Sequence, residues 1–264
     1  MKHLTIALAF LAAAAVSQAK LVTKAVPYEH GGTKLEGYLA YDDSVKTPRP
    51  GVLVIHEWWG LNDYAKNRAE ALAKMGYVAF AADMFGAGTA TTDAAKAKEL
   101  SGQFYGKPLM AERARAGLDQ LLKTGLVDEK RVASIGYCFG GTATLALAYS
   151  GAPLAAAVTF HGGLMPAPAG ALDHTKTKFL VLHGGLDPMV KMDAVDAFKK
   201  SLDEAKADYQ IVIYSGALHA FSNPAADELA RKNNLQGGIG YNEAASRRSW
   251  AQMQAFFSEV FGKK

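Results

Sequence analysis

Cys138, the chain's single cysteine, stands in Gly136-Tyr137-Cys138-Phe139-Gly140-Gly141, and this hexapeptide constrains the fold more than any other stretch. An apolar run, Arg131-Val132-Ala133-Ser134-Ile135, leads into it, and a small-residue helical pattern from Thr142 to Tyr149 leads out. Strand, glycine-flanked nucleophile and helix, in that order, are the sequence form of a nucleophile elbow. The turn is tight enough that a side chain at Gly136 or Gly140 would collide with neighbouring backbone, so glycine is required on both sides. It lifts the sulfur above the sheet and sets it at a helix N-terminus, where the backbone dipole favours thiolate. The competing reading is a buried structural cysteine before a glycine-rich turn, since free cysteine often packs as a small hydrophobe. Residues further along the chain separate the two.

An elbow needs a sheet, and the remaining pattern supplies one. Leu21 to Tyr28 and Lys34 to Tyr41 read as a hairpin around His30-Gly31-Gly32-Thr33. Gly51-Val52-Leu53-Val54-Ile55-His56, entered through Pro48-Arg49-Pro50, is a continuous apolar run suited to a strand buried on both faces. Further strands are expected at Val78 to Ala82, Val132 to Tyr137, Leu154 to Phe160, Phe179 to His183 and Tyr209 to Tyr214. Helical patterns fall at Asn62 or Asp63 to Met75, Ala94 to Phe104, Leu109 to Lys123, Met192 to Lys206 and Asn242 to Phe261. Strands alternating with helices predict an α/β fold, a mostly parallel sheet with helices on both faces. No repeat, low-complexity tract or linker interrupts it, and 264 residues of which 50% are hydrophobic can bury one sizeable core. One domain over residues 20–264 is therefore expected. Asn223 to Tyr241 is the most irregular segment and is expected to be a surface loop covering part of the site.

The first residues are read apart from the fold. Met1-Lys2-His3 is a short basic start, Leu4 to Val16 is apolar, and Ser17-Gln18-Ala19 is a small-x-small cleavage site. That order is a secretory signal peptide over residues 1–19, with cleavage after Ala19 and a periplasmic or secreted product. The apolar run is shorter than the ~20 residues that span a bilayer, and no later stretch is long enough, so no membrane span is expected in the mature chain. Export sharpens the question of Cys138: an oxidising compartment favours disulfides, yet the chain holds no second cysteine to pair with it or to run a dithiol cycle. The net charge of +4 is mild and carries no basic block, so no nucleic-acid partner is implied.

Two residues complete a constellation with Cys138. Phe179 to His183 opens through Gly184-Gly185-Leu186 onto Asp187, and Tyr209 to Tyr214 is followed by Ser215-Gly216-Ala217-Leu218-His219. Elbow hydrolases carry nucleophile, acid and base in this chain order, and open α/β sheets form their sites outside the carboxyl ends of the strands. Standing alone, Asp187 would read as a helix N-cap and His219 as a loop histidine. Together with the elbow they read as a triad. A free cysteine of pKa near ~8.5 is mostly thiol at neutral pH, so His219 as general base is worth roughly 10²–10⁴-fold. Asp187 would hold the imidazole tautomer and stabilise the imidazolium. The oxyanion needs two backbone N–H donors: Phe139, next after the nucleophile, and Trp58, in the segment His56-Glu57-Trp58-Trp59-Gly60 after the third strand. Trp59 and Phe221, close in sequence to these groups, are candidate substrate contacts.

With these residues assembled, the chain resembles the dienelactone hydrolase family from roughly Val22 to Phe261. The cysteine elbow, Glu57 followed by an aromatic and Gly60, and the Asp187 and His219 segments carry the resemblance. It implies an α/β-hydrolase fold, a Cys138–Asp187–His219 triad, no cofactor, and hydrolysis of a small ester or lactone through a thioester. It further implies that Glu57 bonds the resting thiol and helps convert it to thiolate; read from the residues alone, Glu57 is a carboxylate at a strand end. One departure stands out. Members acting on dienelactone carry an arginine four residues beyond the histidine and another after the fourth strand; here the first is Asn223, and Met84 to Asp93 contains none. A neutral acyl group is therefore expected to bind better than a carboxylated lactone, unless Arg68, Arg113, Arg115 or a lysine reaches the site.

Other chemistries fit less well. His56-Glu57 would need a second histidine where Gly60 stands to make a zinc-protease motif. His56, His161 and His183 fall at strand ends and are expected to line the site as hydrogen-bonded side chains, with no metal. The glycines make no phosphate loop. The remaining alternative is an exported binding protein that kept the fold without the activity. The only partner implied is a small-molecule substrate, and the chain is expected to be a monomer.

Overall fold

The computed structural model describes residues 20–173 and 175–262; the signal peptide read over residues 1–19 lies outside the described residues. Strands β1 (Leu21–His30) and β2 (Thr33–Asp42) form the expected hairpin, paired from Leu21 with Asp42 to His30 with Thr33. The chain then alternates: β3 (Arg49–Ile55), α1 (Asp63–Lys74), β4 (Val78–Ala82), α2 (Ala94–Gly102), α3 (Leu109–Lys123), β5 (Val127–Tyr137) and α4 (Phe139–Tyr149). It closes with β6 (Ala156–Phe160), β7 (Lys178–Gly184), α5 (Met192–Glu204), β8 (Tyr209–Tyr214), α6 (Ala226–Asn233) and α7 (Glu243–Val260). The eight strands lie in the order β1-β2-β4-β3-β5-β6-β7-β8. Pairing is antiparallel through β1, β2 and β4, and parallel from β4 to β8.

The continuous apolar runs follow from burial on both faces. Along β3, Leu53 and Ile55 pack with Leu118 and Leu121 of α3 and Phe139 and Ala143 of α4. Val52 and Val54, pointing the other way, pack with Ala69 and Leu72 of α1 and, through the sheet, with Met253, Phe256 and Phe257 of α7. Each fully buried aromatic or aliphatic side chain of this kind contributes about 1.5–3 kcal/mol. Helix α1 starts where Asn62 accepts the Ala65 N–H, so Asn62 rather than Asp63 is the cap.

The chain winds from β3 outward to β4 and then returns to place β5 on the other side of β3. That reversal opens a crevice at the carboxyl ends of β3 and β5, the position where ligands bind in open α/β sheets. Both segments singled out in the sequence, Glu57-Trp58 after β3 and Cys138 after β5, arrive there.

Among the departures from the sequence reading, three bear on how the chain is built. β5 begins at Val127, because Asp128, Glu129 and Lys130 continue the strand on a solvated edge where no apolar run marks it. α2 ends at Gly102, and Phe104 instead closes a turn by donating its N–H to the Ser101 carbonyl. The segment expected to be an irregular loop contains α6, whose Ala226, Leu229 and Ala230 pack on Trp59 and Ile239.

Candidate active site

Cys138 sits between β5 and α4 with φ 53° and ψ −116°, a left-handed conformation that a non-glycine residue holds at a cost of about 1–3 kcal/mol. Its N–H donates to Phe160 O at 3.1 Å and its carbonyl accepts from Gly141 N–H at 3.0 Å, which ties the turn to β6 and starts α4. A Cβ at Gly136 would strike the Gly140 carbonyl, and one at Gly140 would strike the Ile55 carbonyl. The first turn of α4 therefore rests directly on the backbone of β5 and β3. The residue is partly exposed.

Asp187 follows β7 in a turn closed by its own N–H on Gly184 O at 3.1 Å. One carboxylate oxygen, Oδ1, accepts the N–H groups of Met189 at 2.8 Å and Val190 at 3.0 Å. The other, Oδ2, accepts from His219 Nδ1 at 2.7 Å. Asp187 thus caps the turn before α5 and orients a histidine with the same group; the helix cap itself is Lys191. Burial alone would raise Asp187, but His219 and the two N–H groups outweigh it and hold the carboxyl below its usual range. With Nδ1 occupied, His219 keeps Nε2 without a partner among the described residues. Burial disfavours a charged imidazole, yet the charges of Cys138 and Asp187 outweigh it and push His219 up to about 10.

Cys138, His219 and Glu57 line one cavity of about 470 Å³, together with Trp58, Trp59, Tyr105 and Phe139. Among the described residues, the backbone N–H groups of Phe139 and Trp58 are taken by no acceptor in the protein. Ala220 and Ile239 close part of the wall, so the segment after His219 does cover the site in part. A larger cleft of about 1020 Å³ lies at the opposite, amino-terminal ends of β6 and β7 and contains none of the candidate residues.

Glu57 is buried, with Oε2 accepting from the Asn223 side-chain amide and Oε1 unpartnered. Burial is the larger effect and pushes its carboxyl up to about 7, against the Asn223 hydrogen bond and the positive charges of His219 and Arg68. Behind it lies a polar layer. Ser222 Oγ lies 2.7 Å from Tyr64 Oη and 2.7 Å from His161 Nε2, and Ser222 O accepts from Arg68 at 2.9 Å.

Some sequence-predicted contacts are placed elsewhere. Phe221 does not reach the cavity: it is fully buried against His161, at a ring distance of 5.1 Å, and Tyr214, because the backbone at Ala220 turns through φ 59°. Trp59 does line the cavity, although it is itself packed under α6. The three strand-end histidines sit behind the cavity instead of lining it. His56 bonds Glu57 O and the Met84 N–H, His161 bonds Ser222, and His183 is buried beside the Asp187–His219 pair. Among the described residues no three His, Cys, Asp or Glu side chains gather as metal ligands, and no helix is long and apolar enough to cross a membrane.

None of the named arginines lines the cavity. Arg68 is buried over Tyr64, Tyr137 and Trp250, Arg113 bonds Met84 O and His30 beneath the sheet edge, and Arg115 pairs with Asp119. Lys98 of α2 is the one lysine or arginine among the lining residues. Neither it nor Tyr105 was a candidate in the sequence. Both follow the fourth strand by more than a dozen residues, on a helix and turn that look like ordinary surface.

The sequence model of the Dienelactone hydrolase family matches residues 35–261. Protein Usf of Aquifex pyrophilus is 28% identical over 239 residues, which cover 89% of this chain and 97% of that protein. Among solved structures, the dienelactone hydrolase-like promiscuous phosphotriesterase P91 from metagenomic libraries is 39% identical with a TM-score of 0.85, covering 92% of this chain and 99% of that one. At the level of the fold alone the likeness extends to MGS-M1, an α/β hydrolase from a Medee basin deep-sea metagenome, at 16% identity and a TM-score of 0.64 over 90% of this chain and 98% of that one.

Proposed function

Since the chain belongs to the dienelactone hydrolase family and is a hydrolase of that type, we propose that it cleaves small neutral esters or lactones through a thioester on Cys138. The observation that carries this reading is the pairing of His219 with Asp187 at 2.7 Å, with Nε2 left for the cavity that Cys138 shares. His219 takes the thiol proton, and the sulfur attacks the acyl carbon as the carbonyl electrons move to oxygen. The N–H groups of Phe139 and Trp58 receive that oxyanion, each worth about 10²–10³-fold. Collapse expels the alkoxide, which takes its proton from His219. Water then enters, His219 deprotonates it, and attack on the thioester releases the acid and the thiolate. Asp187 stabilises the imidazolium throughout. Glu57, anchored by Asn223 with one oxygen unpartnered, exchanges a proton with the resting thiol. The basic start, apolar stretch and small-x-small site of residues 1–19 support export before the enzyme acts.

A neutral phosphotriester is a second substrate class, favoured by a cavity without an arginine and by the likeness to P91. Steady-state kinetics on p-nitrophenyl acetate, a carboxylated dienelactone and paraoxon test both readings. Cys138→Ala is expected to lower ester turnover at least about 10³-fold with the fold intact. The neutral ester is expected to match or exceed the carboxylated lactone in kcat/KM. Activity surviving in Cys138→Ala would remove the nucleophile, and a protein that binds esters without turning them over would be a binding protein.

A further inference from the structure

Tyr105 belongs to the turn between α2 and α3, which no catalytic segment of the sequence includes. The turn is closed by Lys107 N–H on Phe104 O at 3.1 Å and is rooted by Phe104, buried against Phe139 at 5.4 Å. Tyr105 stands edge-on to the same Phe139 ring, at 5.9 Å and 85°, and lines the cavity beside Cys138. The residue as a whole is half-exposed. Among the described residues its hydroxyl makes no hydrogen bond to another protein group, although it is near enough to feel the charge of Cys138. Burial and that charge both push the phenol above its usual range, so it stays a proton donor at any working pH.

A donor set edge-on against Phe139, lining the same cavity as the nucleophile yet unbonded to it, is arranged for something that enters between them. We propose that the Tyr105 hydroxyl is a further catalytic donor, hydrogen-bonding the substrate oxygen that becomes anionic when Cys138 attacks. It donates without losing its proton, and adds a side-chain donor from the turn between α2 and α3 to the two backbone N–H groups. The inference rests on Cys138 as nucleophile, as proposed above.

Tyr105→Phe tests it, since the ring and its contact with Phe139 remain. On p-nitrophenyl acetate kcat is expected to fall at least about tenfold, below the full loss of a backbone donor, with KM within about twofold. The rate of Cys138 alkylation by iodoacetamide is expected to stay within about twofold. An unchanged kcat overturns the proposal. A rise in KM alone makes Tyr105 a wall of the pocket, and slowed alkylation in step with kcat makes it a partner of the thiol; both overturn it. Failure of the underlying reading is a separate result, activity persisting in Cys138→Ala.

Discussion

Glu57 is a carboxyl held where its neutral form is favoured, and the consequence is a stability that falls as pH rises. Its folded pKa lies at about 7 against an ordinary 4.5, chiefly through burial. Between those values the folded chain keeps a proton that the unfolded chain has released. Stability falls with pH wherever the native state binds more protons, so the loss begins above about pH 4.5 and is complete above about pH 7. At 1.36 kcal/mol for each pKa unit, the full loss is about 3 kcal/mol. Glu57→Gln keeps the shape and an acceptor for the Asn223 amide but has no proton to lose. Urea unfolding of both proteins at pH 5 and pH 8.5 reads the term, because titrating groups that do not interact with Glu57 cancel in the difference. The glutamine variant is expected to gain about 2–3 kcal/mol on wild type between the two pH values.

The same logic extends to Asn223. Its amide donates to Glu57 Oε2, and a hydrogen bond to a charged acceptor is worth about 1.5–3 kcal/mol. Asn223→Leu should therefore raise Glu57 by a further one to two units or so and carry the window upward into the alkaline range. A Glu57→Gln difference that stays flat from pH 5 to pH 8.5 would refute the reasoning: it would mean that Arg68 and His219 fully neutralise the burial of the carboxylate.

Two further outcomes follow from the site's framework. In Asp187→Asn the side-chain oxygen can still accept from Met189 and Val190, while the amide meets His219 Nδ1 and enforces the wrong tautomer; turnover should drop by about 10³–10⁴-fold while Tm barely moves. Gly136→Ala drives a Cβ into the Gly140 carbonyl, where only backbone could give way; a loss of about 3 kcal/mol or more is expected by denaturant titration, and a wild-type midpoint would mean that the elbow can relax.

The strands and the elbow were legible because their constraints are local. A strand buried on both faces must be apolar at every position, as in Val52 to Ile55, and a turn with no room for a Cβ must have glycine at Gly136 and Gly140. The Asp187 and His219 positions were legible for a related reason, since both sit just past strands whose ends are marked by glycine. Helix α6 carried readable signals, acidic Asp227 and Glu228 in the first turn and basic Arg231 and Lys232 in the last, but its apolar face is only Ala226, Leu229 and Ala230. Phe221 was misplaced for lack of any local mark. Two residues beyond His219 in the chain, it lies on the far side of the histidine only because Ala220 adopts a positive φ, and alanine does not advertise one. Tyr105 was invisible because what places it at the cavity is Phe139, more than thirty residues on, which meets it only in the folded state.

Asn223 shows how a departure from the family pattern changes meaning once its neighbours are known. In the sequence it marks a missing arginine and so a weaker hold on a substrate carboxylate. In the structure the same amide is buried and committed to Glu57, while its own oxygen accepts the Ala225 N–H at 2.9 Å. An arginine there would lay a full positive charge against Glu57 and keep it ionised; an amide offers one hydrogen bond and leaves burial in control. The substitution therefore acts on two groups together, removing a cation from the cavity and letting Glu57 hold a proton near neutral pH. While it holds that proton, Glu57 brings no negative charge into the cavity it lines. A cavity without a guanidinium holds no reward for a substrate anion except at Lys98 on its rim. Both effects point the same way as the proposal above, in which a neutral acyl or phosphoryl group is the substrate.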